Sequence, residues 1–540
     1  MKIKMVKSNF SLYFSILFFL TSTLILIFLS YHLCEKHLIY ALDDAYIHMA
    51  VAKNFALHGV WGVTKYGFTS TSSSLIWTLL ISFTYFLFGV NELSPLILNL
   101  ISGILLIYTI FKLLKRENFT EKEIFLTLIA IIVLTPLYPL ILSGEEHVLQ
   151  ILIDITFIYF AEKYLSEKVE NVTFKKYLLL ISPLITAVRY EGLFIILVVS
   201  VLILFLRKNI KFSFFLILTG LSPIIIYGLI SIHKGWYFLP NSILIKGNKP
   251  PLNNLHDIVK YLFTWLKNIL IAPQLFIVLS GIIFSTLLLI KGKEKKGVIF
   301  TIIYLPIFLL HIQFARIGWL YRYEAYLIAI SIFIISIYYK KISTNKLITK
   351  KFKQIFVLFI IFCGLLLLYR GVNGARKSVI ATKNIYEQQY HMGLFLKKFY
   401  KGKIVALNDI GATNFLADIK CIDLFGLADN KINPKLRDYK YTCPFPYKLS
   451  IFKRRLKQKK IDIIIIFKGW FKNVIPENWI EVGKWKIKNN VVCGQNKVTF
   501  FATDPQKAKI LIENLKKFKN KLPKDVIQSG TYLDLTSRDK

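Results

Sequence analysis

The chain has 540 residues, 55% of them hydrophobic, with a mean hydropathy of +0.53 and a formal net charge of +39. That hydropathy excludes an ordinary soluble protein, because repeated apolar runs of roughly 17–25 residues mark bilayer-crossing helices. It also gives the positive charge a source other than nucleic acid. Cytoplasmic loops of membrane proteins are rich in Lys and Arg, so no nucleic-acid partner is expected.

The first segment, MKIKMVKSNFSLYFSILFFLTSTLILIFLS, has a basic start and an apolar run. The run is too long for a signal-peptide core and lacks a small-residue cleavage site, so it reads as a retained first span. Next comes YALDDAYIHMAVAKNFALHG, with two adjacent aspartates, Asp43 and Asp44. Ile47, Ala50, Val51, Phe55 and Leu57 fall on one helical face, which predicts an amphipathic helix along the membrane surface, with Asp43 or Asp44 as its N-cap. SLIWTLLISFTYFLF (74–88) is short for a span and follows the polar run TSTSSS, so it too is expected to lie in the interface.

Further apolar runs fall near residues 93–111, 123–142, 147–161, 177–188, 192–206, 212–232, 274–290, 298–312, 319–338 and 354–369. With 75–89 kept in the interface, every basic cluster from Lys2/Lys4/Lys7 to the run ending at Lys353 lies on one side, which the positive-inside rule makes cytoplasmic. The expectation is eleven spans in a cell-membrane protein, with the N-terminus inside and everything after about residue 371 outside. The sequons at Asn9, Asn118 and Asn171 all fall on the cytoplasmic side, out of reach of glycosylation.

Beyond Gly371 the composition changes. GKIVALNDIGATNFL, IKCIDLFGLAD, KIDIIIIF and KVTFFATDP are short β-rich runs, and DPQKAKILIENLKKFKNKL reads as an amphipathic helix. The fold class is therefore a polytopic α-helical membrane protein plus a C-terminal soluble α/β domain, divided as 1–371 and 372–540. The five cysteines show no CxxC spacing, and one disulfide among Cys421, Cys443 and Cys493 is left open.

On this topology the isolated charged groups collect at the outer ends of the spans. Asp43/Asp44 are followed by SGEEH (Ser143–His147), AVRYEG with Arg189 and Glu191, LPNSILIKGN with Asn241 and Lys246, and ARIGWLYRYE with Arg316, Arg322, Tyr323 and Glu324. Ionisable groups at membrane depth are costly, so they pair, face a wet cavity or serve a site. Each has a plainer reading: a helix cap for Asp44, a solvated turn for Glu145 and Glu146, a structural ion pair for Arg189 and Glu191, an exposed loop lysine for Lys246, and a snorkelling side chain for Arg322. Their conjunction on one face points to group transfer from a lipid-linked phosphate. A carboxylate takes a proton from an acceptor hydroxyl while Arg and Lys hold the departing phosphate.

DDAYIHMAVAKNFALHG with YGFTSTSSSLIW, SGEEHVL, AVRYEGL, LPNSILIK, YRYEAYL and NDIGATNFLADIKCIDLFGLAD, in that order, resemble the motifs of integral-membrane GT-C glycosyltransferases that use polyprenyl-phosphate sugars. The resemblance runs from about Leu42 to Asp429 and is strongest to the branch holding the terminal arabinofuranosyltransferases and mannosyltransferase-like proteins. Tyr190 stands where that family has proline, and His147 where it has a small residue. The resemblance implies a GT-C-like fold and transfer, with inversion, of a sugar to a glycan, glycolipid or glycoprotein on the outer membrane face. It implies a catalytic carboxylate at Asp43 or Asp44, without choosing between them. Arg189, Lys246 and Arg322 are the candidates for the donor phosphate, and Glu146, Glu191, Asn241 and Tyr323 for substrate binding. A divalent cation, Mg or Mn, is left open, and no other cofactor is expected. Membrane lipid, the polyprenyl-phosphate sugar and the glycoconjugate acceptor are the expected partners. The competing readings are a transporter or lipid-linked-saccharide flippase, which expects internal repeats and charges at mid-membrane, and a non-catalytic scaffold for the outer domain.

Overall fold

A computed structural model describes residues 9–167, 171–247, 254, 259, 263, 272–429, 460–472 and 474–533, without the side chains of 295 and 296. The long apolar runs before residue 371 are largely helical, except that the 319–338 run becomes helical only at Ala325. In chain order the membrane body holds α1 (Phe10–Leu33), α2 (Asp43–His58), α3 (Leu75–Phe88), α4 (Ser94–Arg116), α5 (Glu121–Leu134), α6 (Leu137–Leu142), α7 (His147–Ser166) and α8 (Val172–Val188). It continues with α9 (Gly192–Arg207), α10 (Ile210–His233), α11 (Asn241–Lys246), α12 (Pro273–Lys291), α13 (Ile299–Phe314), α14 (Ala325–Thr344) and α15 (Lys350–Ile385).

Among the described residues six helices are long and apolar enough to cross a membrane: α1, α4, α10, α12, α14 and the one beginning at Lys350. The other five of the eleven expected spans do not reach that measure. The 123–142 run breaks into α5 and α6 at Thr135 and Pro136, α8, α9 and α13 are shorter, and α7 carries Gln150, Asp154, Glu162 and Lys163. The polarity of α7 has a packing reason. It sits against α4, α8, α9, α13 and α14, so most of its surface faces protein rather than lipid.

Two expectations for the first loop change. Helix α2 does not simply lie on the membrane. Ala45 to Ala52 are all buried, between α3 on one side and the C-terminal domain on the other, and only the far end, at Phe55 and Leu57, is exposed. Nor does either aspartate cap α2: the N-cap is Leu42, with no side-chain capping bond, and both acids lie in the first turn. Their carboxylates are engaged elsewhere.

Helix α15 runs through the expected boundary at residue 371, and a π-helical turn, Tyr386–Tyr390, joins it to α16 (His391–Phe399). The C-terminal α/β domain is thus carried on a continuous helical stalk. Its sheet comprises β1 (Ile404–Leu407), β2 (Lys420–Asp423), β3 (Ile463–Ile466), β4 (Ile480–Lys486), β5 (Lys497–Ala502) and β6 (Ile527–Gly530), in the order β2-β1-β3-β5-β4-β6. β1 pairs in parallel with β2 and β3, and the remaining pairings are antiparallel. The run IIII of β3 is buried on both faces because the sheet is covered twice. Ile463 and Ile465 join the main core, while Ile464 and Ile466 join a second one with Phe471 and Trp479. The predicted amphipathic helix is α18 (Pro505–Phe518), with Asp504 as N-cap and Phe518 stacked on Trp485. α17 (Gly411–Leu416) connects β1 to β2 and lies against α2. Cys443 lies outside the described residues, and Cys493 is buried with its thiol 3.3 Å from Gln389 Oε1.

Candidate active site

The site is assembled where the first turn of α2 meets three other loops and the outer domain. Asp43 and Asp44 are neighbours in sequence, and a helix turns about 100° per residue, so their side chains diverge. Asp43 reaches into the outer domain. Its Oδ2 accepts from the Gly411 N–H and its Oδ1 from the Ala412 N–H, both at 2.8 Å. A Cβ on Gly411 would stand 2.0 Å from the Asp43 carbonyl oxygen and 2.7 Å from its Cγ, so only glycine permits this approach. Asp409, held by Gln389 Nε2 at 2.7 Å, lies at the end of β1 beside it. Burial first, then repulsion between Asp43 and Asp409, push the Asp43 carboxyl above the ordinary aspartate range; burial does the same to Asp409.

Asp44 faces the membrane body. Lys246 Nζ donates to both of its oxygens at 3.1 Å, and Arg322 Nη2 donates to Oδ2 at 2.6 Å. Burial acts to raise the Asp44 pKa, but the two cations outweigh it and hold the carboxyl well below its ordinary value. Arg322 is 2% exposed; its Nη1 pairs with Glu145, its Nη2 also contacts the Tyr323 hydroxyl at 2.9 Å, and its Nε has no partner among the described residues. Glu145 in turn contacts His147 Nε2 at 3.3 Å. Arg316 donates from Nε to the Lys246 carbonyl at 2.7 Å and forms no ion pair among the described residues.

Arg189 belongs to a second node. Its Nη1 donates to Glu146 at 2.8 Å, and its Nε and Nη2 grip Glu191 at 3.1 and 2.7 Å. The Tyr323 ring lies between the two nodes, 4.7 Å from the Arg322 guanidinium carbon and 5.8 Å from that of Arg189. A third node, Glu324 with Arg370, Gln274 and the Gly318 N–H, holds the loop that carries Arg322. Asn241 does not reach these groups. Its amide donates to the carbonyls of Gly426 and Asp429 at 3.0 Å, pinning the turn after β2 to the helix that bears Lys246.

Of the residues predicted from sequence, Asp44, Lys246, Arg322 and Tyr323 come together, Arg189, Glu146 and Glu191 form a neighbouring cluster, and Asp43 and Asn241 face the outer domain. Glu145 was visible only as the partner of Glu146, and its grip on Arg322 has no sequence signal beyond the SGEE turn. That turn is itself constrained: Gly144 has φ +72°, and a Cβ there would meet Tyr40 and Ala45 at 2.6 and 2.9 Å. The donor set does not suit a divalent cation. The Asp43 oxygens accept backbone N–H groups, those of Asp44 are held by two cations, and no trio of His, Cys, Asp or Glu among the described residues is placed to hold a metal.

Fold and site together define a multi-pass membrane protein, a multi-helix body with a C-terminal mixed α/β domain. The chain is similar to two crystal structures of ArnT from Cupriavidus metallidurans, one bound to undecaprenyl phosphate and one in the apo state. Each has a TM-score of 0.50 and 11% identity, covering 91% of this chain and 98% of that one. It is also similar to the Archaeoglobus fulgidus oligosaccharyltransferase in complex with Zn and sulfate, at TM-score 0.44 and 12% identity, covering 94% and 74%. At such identities the likeness to ArnT is one of fold. Residues 383–501 match a family model described as a domain of unknown function (DUF8728). No curated protein matches the sequence.

Proposed function

We propose that the chain is a glycosyltransferase that moves a sugar from a polyprenyl-phosphate donor to a glycan, glycolipid or glycoprotein, with residues 1–371 as the catalytic module and 372–540 as the outer domain. The observation that carries this reading is one accessible carboxylate, Asp44, sharing one point with two cations, Lys246 and Arg322. Base and phosphate clamp are thus adjacent, as displacement at an anomeric carbon requires. The ArnT structure bound to undecaprenyl phosphate, which shares the fold, supports a polyprenyl-phosphate ligand here.

In this mechanism Asp44 accepts the proton of the acceptor hydroxyl, the acceptor oxygen bonds to the anomeric carbon, and the carbon–oxygen bond to phosphate breaks. Its electron pair goes to the phosphate, held by Lys246 and Arg322, and the anomeric centre inverts. Asp43 and Asn241 brace the outer domain. Arg189, closed off by Glu146 and Glu191, positions Tyr323 and the turns around it rather than touching phosphate. No step passes through a metal. The N-terminus is cytoplasmic, and the site opens to the outside.

The test is purified full-length protein offered a panel of polyprenyl-phosphate sugars. Turnover of one donor, lost in a folded Asp44→Asn variant, supports the reading. A variant that complements a deletion strain while wild type turns over no donor refutes it and favours a transporter.

A further inference from the structure

The cation network at Asp44 is neutral as it stands. Lys246 and Arg322 carry two positive charges, Asp44 and Glu145 two negative ones, and the four are linked by contacts of hydrogen-bond type. A neutral network attracts an incoming phosphodiester weakly unless one of its acids yields. The two acids differ in their ability to do so. The Glu145 side chain is 3% exposed and buried behind Arg322, whereas those of Asp44 and Lys246 are 24% and 23% exposed. Glu145 is therefore a permanent counter-ion and Asp44 an exchangeable one. Arg322 adds a second sign that a ligand is expected: its Nε is buried and has no partner among the described residues, an unused donor in a side chain whose other nitrogens are all engaged.

Resting on the glycosyltransferase reading, we propose that Asp44 and the lipid-linked phosphate share Lys246 and Arg322 by exchange, so that donor binding itself turns Asp44 into the base. While it is held by both cations, Asp44 is a poor proton acceptor. A phosphate that takes over those cations restores its basicity at the moment the acceptor must be deprotonated. The reaction then completes the exchange. The donor diester carries one negative charge, and the product monoester carries about −1.5 to −2 near neutral pH. As the anomeric carbon–oxygen bond breaks, its electron pair adds charge to the phosphate, and the acceptor proton neutralises Asp44. Total charge is conserved, and both cations are freed for the leaving group as its charge grows. Release of the product follows when Asp44 loses its proton to water and competes for the cations again. Asp44 thus promotes the departure of the lipid phosphate as well as the attack that forms it.

This makes a prediction opposite to that for an ordinary binding residue: removing the Asp44 charge abolishes transfer and tightens phosphate binding. The test measures binding of a polyprenyl monophosphate, and of the matching polyprenol, to full-length protein in lipid nanodiscs. Wild type, Asp44→Asn and Asp44→Asn/Lys246→Met are compared, with Asp44→Ser making the same charge change should Asp44→Asn fail to fold. The expected result is that Asp44→Asn binds the monophosphate about tenfold more tightly than wild type. Polyprenol should bind both alike, and the added Lys246→Met should erase the gain. Equal or weaker monophosphate binding by both single variants, with wild type still preferring phosphate over alcohol, overturns the exchange and leaves the glycosyltransferase reading standing. A wild type that does not distinguish phosphate from alcohol overturns both.

Discussion

Gly411→Ala tests the contact on which the outer domain rests. The new Cβ would lie 2.0 Å from the Asp43 carbonyl oxygen and 2.7 Å from both Cγ and Oδ1 of its carboxylate. The first of these atoms is backbone, and the Asp43 side chain is fixed by the two N–H groups at 2.8 Å, so neither moves away cheaply. α17 must lift off α2, and both charge-assisted bonds are lost. Hydrogen bonds to charged groups are worth roughly 1.5–3 kcal/mol each, so the docking equilibrium shifts by about 3 kcal/mol or more, at least a hundredfold. Amide hydrogen exchange on the full-length protein reads this directly. The amides of 411 to 416 should lose protection, while β3, in the doubly covered core, keeps it. Transfer activity should fall with them, because Asp44 is anchored to the same turn of α2. Unchanged exchange at 411 to 416 together with wild-type activity would show that Asp43 does not clamp the outer domain, and the division of labour between the two aspartates would fall.

Arg322→Met leaves Glu145 buried without its cation, a change that costs about 3–5 kcal/mol, so thermal stability should drop sharply; adding Glu145→Gln should recover much of it without restoring transfer. Arg316→Ala, which removes a cation that has no acid partner among the described residues and bonds the Lys246 carbonyl, should raise the donor KM severalfold and leave kcat nearly unchanged, as steady-state kinetics would show. The burial of Asp43 and Asp409 makes docking pH-dependent. Both carboxyls are raised above their unfolded values, so the folded state binds more protons than the unfolded one, and stability from this pair is full below the ordinary aspartate range and is lost as pH rises through the raised values. Melting of wild type against Asp409→Asn across pH 4–8 should show the wild type losing stability on the alkaline side and the variant losing less. A slope of opposite sign would contradict the burial of this pair.

The membrane body was legible because hydrophobicity is written in long runs, and those runs are largely helices. Where a helix is packed inside the bundle, as α7 is, its polar residues dilute the signal; interior position, not lipid contact, permits Asp154 and Glu162 there. In the outer domain β1, β2, β3 and β5 could be read from apolar runs. β4 and β6 have no apolar run: IEVGKWK is broken by Gly483 and two lysines, and IQSG holds one apolar residue and is mostly exposed. At the site, charge type and loop position pointed to Asp43 or Asp44 without choosing between them, and to Lys246 and Arg322; the meeting of Asp44 with these two cations needs backbone segments about 200 and 278 residues apart in sequence to converge. What sequence alone does not reveal is direction. Arg189 looks like a phosphate ligand by composition, yet three of its nitrogens are already turned to Glu146 and Glu191.

The adjacent pair Asp43–Asp44 shows why direction decides function. Two acids side by side in a chain suggest two ligands for one metal, or a dyad sharing one proton. On a helix, consecutive side chains point about 100° apart, so adjacency separates them; convergence would need spacing of three or four residues. Here the separation is used. One carboxylate receives the N–H groups that open α17, and the other meets the cations of the membrane body, across a single peptide unit at the rigid start of α2. Any shift of the outer domain that drags Asp43 must rotate or translate Asp44 against Lys246 and Arg322. The adjacency of the two aspartates thus ties the C-terminal domain to the cation network by the shortest rigid link a helix provides.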